Sequence, residues 1–376
     1  MIFLDNASTT KVDESTIEIM NHYYNDLFFN PSASYAPSTQ ISEKIIEAKK
    51  QILKPLKIDY NNNLIITGSA TEANNLALLG SIKSNFKKIL VSMGEHPSVF
   101  NTAKSLQEKG YNVQFIKLNE EGTVDLEDYK SKLSSKDVSF VSIIHVNNET
   151  GAINPINKLA QLAKEANPNC IFHSDGVQSF CKINVNLENI DLYTISAHKI
   201  NGPKGVGALF VRNIKALKPI NYGGGQEFNI RSGTENVPAI LGFANAVANF
   251  NTNINFEKVS ELQKVIFNEL SNKQGIVINS KIENSPYIIS VSFDKIRGET
   301  LLHKLEEDEI FISTGSACSS KKLGENRILQ AMGLPKNLII GSVRISLSKN
   351  TTYEEVKIFC EKVISCYNSL RLTLGV

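Results

Sequence analysis

A lysine at a strand end, set ahead of a glycine-rich turn, suits a Schiff base with an aldehyde cofactor, a bond that needs a partly desolvated amine. Lys199 is so placed. It closes Ser196-Ala197-His198-Lys199 directly after the β-branched run Leu192–Ile195, and Asn201-Gly202-Pro203-Lys204-Gly205-Val206-Gly207 follows. A solvated surface lysine is the commonest alternative. Ser196 and His198 beside it could hold a phosphate. Gly68-Ser69-Ala70-Thr71-Glu72 is a second candidate phosphate site, because it follows a strand and opens a helix. Free N–H groups at Ala70 and Thr71, the positive end of the helix dipole and the Thr71 hydroxyl would all face the anion there. An ordinary capped turn is the alternative. In His173-Ser174-Asp175-Gly176-Val177-Gln178, the Asp175 carboxylate ends a strand, where it could keep a pyridine-type ring nitrogen protonated for an electron-sink cofactor. Gln178 could reach the phenolic oxygen of the same ring. His96, between Glu95 and the helix-starting Pro97, could stack on a planar cofactor and move protons near neutral pH, or serve as a structural histidine. His145-Val146-Asn147-Asn148-Glu149-Thr150-Gly151 reads as a turn or as a polar floor for a ligand.

Each of these segments follows a short β-branched run, and amphipathic stretches separate the runs. Leu64–Thr67, Ile89–Val91, Val113–Ile116, Val138–Val146, Cys170–Phe172, Leu192–Ile195 and Val206–Val211 read as strands. Helical spacing runs through Thr71–Lys83, Pro97–Lys109, Leu126–Leu133 and Ile156–Ala166. The alternation predicts an α/β fold with a mostly parallel seven-stranded sheet, whose ligands lie beyond the carboxyl ends of the strands. After a helix near Asn236–Phe250 the rhythm changes. Helices at Phe256–Asn272, Glu299–Glu307, Asn326–Met332 and Tyr353–Leu370, with strands at Ile276–Asn279, Tyr287–Phe293 and Val343–Leu347, predict a smaller α+β domain. The expected division is residues 13–250 for the large domain, with 1–12 and 251–376 forming the small one. A chain of 376 residues exceeds what one core usually serves.

Composition excludes more than it identifies. Hydrophobic residues at 41% and charged residues at 21% describe a globular chain, and a net charge of +2 gives no reason to expect nucleic acid or an acidic membrane. The N-terminus MIFLDNASTT carries no basic run before its short apolar stretch, so a cytoplasmic location is expected. Five cysteines without a CxxC pair indicate neither a disulfide framework nor a zinc site, and no metal is expected.

Taken in order, the motifs resemble those of the fold-type I pyridoxal 5'-phosphate (PLP) enzymes of the class V aminotransferase group, within it the cysteine desulfurases of the NifS and IscS kind. The resemblance spans nearly the whole chain, from Leu4-Asp5-Asn6-Ala7-Ser8-Thr9-Thr10 through the segments above to Arg231-Ser232-Gly233-Thr234, Ser313-Thr314-Gly315-Ser316-Ala317-Cys318-Ser319 and Ser342-Val343-Arg344-Ile345-Ser346. It implies that Lys199 carries PLP as a Schiff base, Asp175 pairs with the ring nitrogen, His96 stacks on the ring, and Gln178 and Asn148 lie near the ring oxygen. Ala70, Thr71, Ser196 and His198 would bind the phosphate. Thr234 would reach the phosphate of a neighbouring subunit, which implies a homodimer. Arg344, with Asn148 nearby, would bind the substrate carboxylate. Cys318, in a small and polar setting, would receive sulfur from L-cysteine as a persulfide and pass it to an acceptor protein for iron–sulfur cluster assembly or tRNA thiolation. Cys170, Cys181, Cys360 and Cys366 lie in apolar patterns and are expected to be packing residues. An aminotransferase or a lyase specific for selenocysteine would share the same cofactor site.

Overall fold

The strands that end at the candidate residues lie side by side in one seven-stranded sheet. Its spatial order is Leu64–Thr67, Gly207–Val211, Leu192–Ser196, Ile171–Asp175, Val138–Ser142, Lys88–Ser92 and Val113–Ile116. Gly207–Val211 runs antiparallel to both of its neighbours, and the remaining pairs are parallel. The computed structural model describes residues 1–60, 62–83, 87–314 and 326–375.

Parallel neighbours need crossovers, and the helices Ala70–Ser81, Pro97–Glu108, Leu126–Leu133 and Ile156–Ala166 stand near their expected positions. One apolar core gathers residues such as Ile41, Phe172, Tyr193 and Phe243, and another gathers Ile65, Leu76, Val91 and Leu209. Covered strands are apolar at successive positions, which is why their sequences lack a polar face. The expected strand Val138–Val146 is too long. The regular strand ends at Ser142; past it Ile143 N–H still donates to His173 O and Val146 bridges Ile153, and Ile143, Ile144 and Val146 are buried there. A short buried run looks the same whether or not it pairs. The helices Glu14–Asn25 and Ala36–Leu53 were not foreseen. The first buries only Thr16, so it shows no apolar stripe.

A separate core collects Leu4 and Ala7 with Val259, Leu301, Ile345 and Phe359. It covers a three-stranded antiparallel sheet ordered Ser342–Ser346, Ile288–Phe293 and Ile276–Ile278. The N-terminal residues join this region, because Ile2–Phe3 pairs in parallel with Ile310–Phe311 and Asn6 N–H donates to Ser346 O. Further along, Thr10 N–H donates to His198 O. Residues 4–10 therefore strap the small sheet to the turn that bears Lys199. Among the described residues, no helix is long and apolar enough to cross a membrane.

One glycine sets how closely two elements approach at the site. A Cβ on Gly207 would lie 2.7 Å from Ala70 N and 2.7 Å from Ser69 C. Gly207→Ala should therefore push the strand off the turn, costing about 1–3 kcal/mol. The expected result is a lower midpoint of thermal unfolding; an unchanged midpoint would show that the turn yields without cost.

Candidate active site

A cavity of about 320 Å³ opens beyond the carboxyl ends of the central strands. On one side the Gly68–Ala70 turn enters the helix Ala70–Ser81. Ser69 caps that helix, its Oγ accepting from Glu72 N–H at 3.1 Å. Glu72 ties the turn down: Oε2 accepts from Gly68 N–H at 2.6 Å, and Oε1 accepts from Arg231 Nε at 2.8 Å and Asn221 Nδ2 at 3.0 Å. Ala70 and Thr71 line the cavity, and first-turn N–H groups have no carbonyl partner within their own helix.

Lys199 ends the single turn Ala197–Lys199 that follows the strand Leu192–Ser196. Its Nζ donates to Ala7 O and Ser8 O, each at 2.6 Å, so the N-terminal strap holds the amine at the cavity wall. His198 Nδ1 lies 3.2 Å from Thr9 Oγ1, and burial, helped by Lys199, holds its pKa down at about 3. This imidazole is neutral near pH 7 and can donate only one N–H.

Asp175 ends its strand almost fully buried. Its Oδ1 accepts from Val177 N–H at 3.0 Å and its Oδ2 from Asn74 Nδ2 at 2.8 Å. Gln178 is oriented by two partners, donating from Nε2 to Ala7 O at 2.9 Å and accepting at Oε1 from Lys182 Nζ at 3.0 Å. Burial, with Lys199 and Arg344 adding repulsion, lowers the Lys182 pKa to about 7. His96 caps the helix Pro97–Glu108, its Nδ1 accepting from Ser98 N–H at 3.2 Å. Burial lowers its pKa, against an opposing pull from Asp175.

Arg344, from the strand Ser342–Ser346, reaches the cavity through the small sheet. Its Nη1 donates to Asn148 O at 3.0 Å and its Nη2 to Asp5 Oδ1 at 2.9 Å. Glu149 Oε1 lies 3.7 Å from Nη1, and burial pushes the Glu149 pKa up to about 7 despite that guanidinium. Asn148 donates from Nδ2 to Glu149 Oε1 at 3.1 Å, and its buried Oδ1 has no hydrogen-bond partner among the described residues.

Lys199, His96, Ala70, Thr71, Asn148, Asp175, Gln178, His198 and Arg344 thus share one cavity. Ser196 is buried at its strand end and is not among the lining residues. Thr234 stands apart, lining a smaller depression of about 140 Å³ with Gly68, Arg231 and Glu235. Cys318 lies outside the described residues. The other four cysteines are buried and unpaired, and burial pushes the thiols of Cys170 and Cys360 up to about 12. Several residues of the site were not singled out from sequence. Asn74 follows Thr71 by three positions on one helix, a spacing that shares a face and could have found it. Glu149 adjoins Asn148. Arg327 donates to Met93 O and Glu95 O and lies 3.9 Å over the Phe100 ring, and nothing in its sequence setting marks it.

The family described as Aminotransferase class-V matches residues 2–359. The chain belongs to that family. Among class-V relatives, cysteine desulfurase IscS 1 of Archaeoglobus fulgidus is 38% identical over 380 residues, covering 99% of this chain and 98% of its own. A solved structure described as a NifS-like protein superposes with a TM-score of 0.91 at 32% identity, covering 99% of both chains. SspA, solved in complex with cysteine, gives a TM-score of 0.82 at 30% identity over 94% of this chain and 100% of its own. The protein therefore has the class-V aminotransferase fold, as its sequence motifs lead one to expect.

Proposed function

We propose that the protein is a PLP-dependent cysteine desulfurase, converting L-cysteine to L-alanine and moving the sulfur to Cys318 as a persulfide. The observation that carries the reading is the convergence of Lys199, Asp175, His96 and Arg344 on one cavity in a chain whose relatives bear that name. The donor set fits the cofactor. First-turn N–H groups at Ala70 and Thr71, with the Thr71 hydroxyl and the neutral His198, suit its phosphate. Asp175 suits a protonated ring nitrogen, His96 a ring face, and Gln178 the ring oxygen. The Oδ1 of Asn148, without a partner among the described residues, is a buried acceptor that suits a donor from a bound molecule. Ser196 would support the phosphate from behind, and Thr234 would reach the phosphate of a partner subunit in a homodimer.

When bound, PLP supplies an electron sink for the pair left on the substrate α-carbon. The chain's own groups do the rest. Lys199 Nζ, released from its tether, takes the α-proton. Arg344 holds the substrate carboxylate through its planar fork. The Cys318 thiolate attacks the substrate sulfur, so an S–S bond forms as the Cβ–S bond breaks. His96 Nε2 moves the proton of the substrate thiol, Cβ takes up a proton as its sulfur leaves, and Lys199 Nζ gives a proton back to Cα, which completes alanine. The persulfide then passes to an acceptor protein, serving iron–sulfur cluster assembly or tRNA thiolation in the cytoplasm. The two-lobed division into 13–250 and 1–12 with 251–376 belongs to the same reading, with the small lobe carrying the Cys318 segment.

Incubation with L-cysteine and a thiol reductant should yield alanine and sulfide in equal amounts. Sulfide without alanine would contradict the reading. Arg344→Lys should raise KM for L-cysteine by about 10–100-fold, because lysine cannot reproduce the two-pronged contact, while kcat changes less. Steady-state kinetics on the two proteins would show it.

A further inference from the structure

The helix face that follows the phosphate turn carries a polar side chain that neither cofactor nor substrate requires. Asn74 is buried in the helix Ala70–Ser81, and its single amide nitrogen donates twice, to Asp175 Oδ2 and to Ser98 Oγ, each at 2.8 Å. Its Oδ1 is buried with no hydrogen-bond partner among the described residues. The direction of these bonds is forced. A carboxylate only accepts, so the NH2 group and not the carbonyl must face Asp175. The same NH2 occupies the acceptor side of Ser98 Oγ, which turns the hydroxyl proton toward His96 Nδ1, 2.8 Å away. Ser98 N–H also points at Nδ1, at 3.2 Å. Two donors on one ring nitrogen leave it bare, so a neutral His96 carries its proton on Nε2. Packing alone gives no reason for an amide at this position, since leucine would fill a similar volume without stranding an acceptor.

We propose that Asn74 is a positioning residue: by bridging Asp175 and Ser98 it fixes the proton of His96 on Nε2. The link joins the two side chains expected at the ring nitrogen and on the ring face, and its functional sense rests on the proton-carrying role given to His96 above. The surroundings of His96 act with it. Burial and the charges of Lys199, Arg327 and Arg344 disfavour a second proton, Asp175 favours one, and the N-terminus of the helix Pro97–Glu108 adds its positive pole against it. In Asn74→Leu, Ser98 Oγ is free to turn and accept from a protonated Nδ1. In Ser98→Ala, the hydroxyl donor is gone. Either change makes the second proton easier to add.

The test is nuclear magnetic resonance of the full-length, cofactor-loaded protein labelled with 15N-histidine, without substrate. The His96 signals are identified by their loss in His96→Gln. Wild type should show a protonated Nε2 and a bare Nδ1. In Asn74→Leu and in Ser98→Ala the midpoint for the second proton should rise by about one pH unit, the worth of one net hydrogen bond. The double variant should rise no further than either single one, because both break one chain. A wild-type proton on Nδ1, or midpoints unmoved in the variants, would overturn the proposal. Ser98→Ala tests the same link should Asn74→Leu fail to fold. Because the signal is read without turnover, a failure to form alanine would overturn the functional reading and leave this one standing.

Discussion

Lys199→Ala should leave a folded protein that turns over L-cysteine at least about 10³-fold more slowly, since a positioned acid–base group alone supplies about 10²–10⁴-fold. The loss has two parts, because the same Nζ both tethers the cofactor and takes the α-proton. Visible absorbance from covalently held PLP should vanish, while added PLP remains bound through the groups near Ala70, Thr71 and Asp175. Folding should suffer little. The variant takes the lysine donor from Ser8 O, a cost of about 1–3 kcal/mol if that carbonyl finds no water, while Ala7 O keeps its Gln178 Nε2 donor. Absorbance spectra and thermal unfolding, taken together, separate lost chemistry from lost structure. Turnover near the wild-type rate would remove Lys199 from the mechanism.

Cys318→Ala should give the opposite spectrum with the same kinetic result. The cofactor stays bound and visible, because Lys199 and Asp175 are untouched, yet sulfur transfer falls by about 10³-fold or more, as when other nucleophiles are removed. Substitution of another cysteine is not an equivalent experiment. Cys170, Cys181, Cys360 and Cys366 are all buried with thiols pushed upward by burial, so none of them is poised as a thiolate near neutral pH. Replacing any of them should affect packing and leave the partition of sulfur unchanged. Alanine formed at the wild-type rate by Cys318→Ala would exclude Cys318 as the acceptor.

The sheet was legible in the sequence because its strands are short, β-branched and bounded by turn residues. The run Leu192–Ile195 ahead of Ser196-Ala197-His198-Lys199 is enough to place a lysine at a strand end. Where apolar character outruns the regular ladder the expected strand is too long, as at Ile143–Val146, which are buried past its end with only scattered backbone pairing. Polar helices failed for the converse reason: Glu14–Asn25 shows almost no buried stripe. In the site, residues that end strands could be found one at a time, because their neighbours in sequence announce the position. Contacts between residues far apart in the chain could not. The contact of Asn74 with Asp175 spans 101 positions, that of Arg344 with Asp5 spans 339, and no local pattern reports either. The Lys199 contacts to Ala7 and Ser8 belong with these, since they join residues 192 and 191 positions apart through an N-terminal segment that also pairs with Ile310–Phe311.

The most direct test of sulfur transfer is mass spectrometry of the Cys318 peptide after L-cysteine is added to the cofactor-loaded protein without reductant. A gain of one sulfur atom on Cys318, appearing with one equivalent of alanine and absent in Lys199→Ala, is the predicted result. Alanine released while the Cys318 peptide stays unmodified, or sulfur found on another cysteine instead, would contradict the assignment.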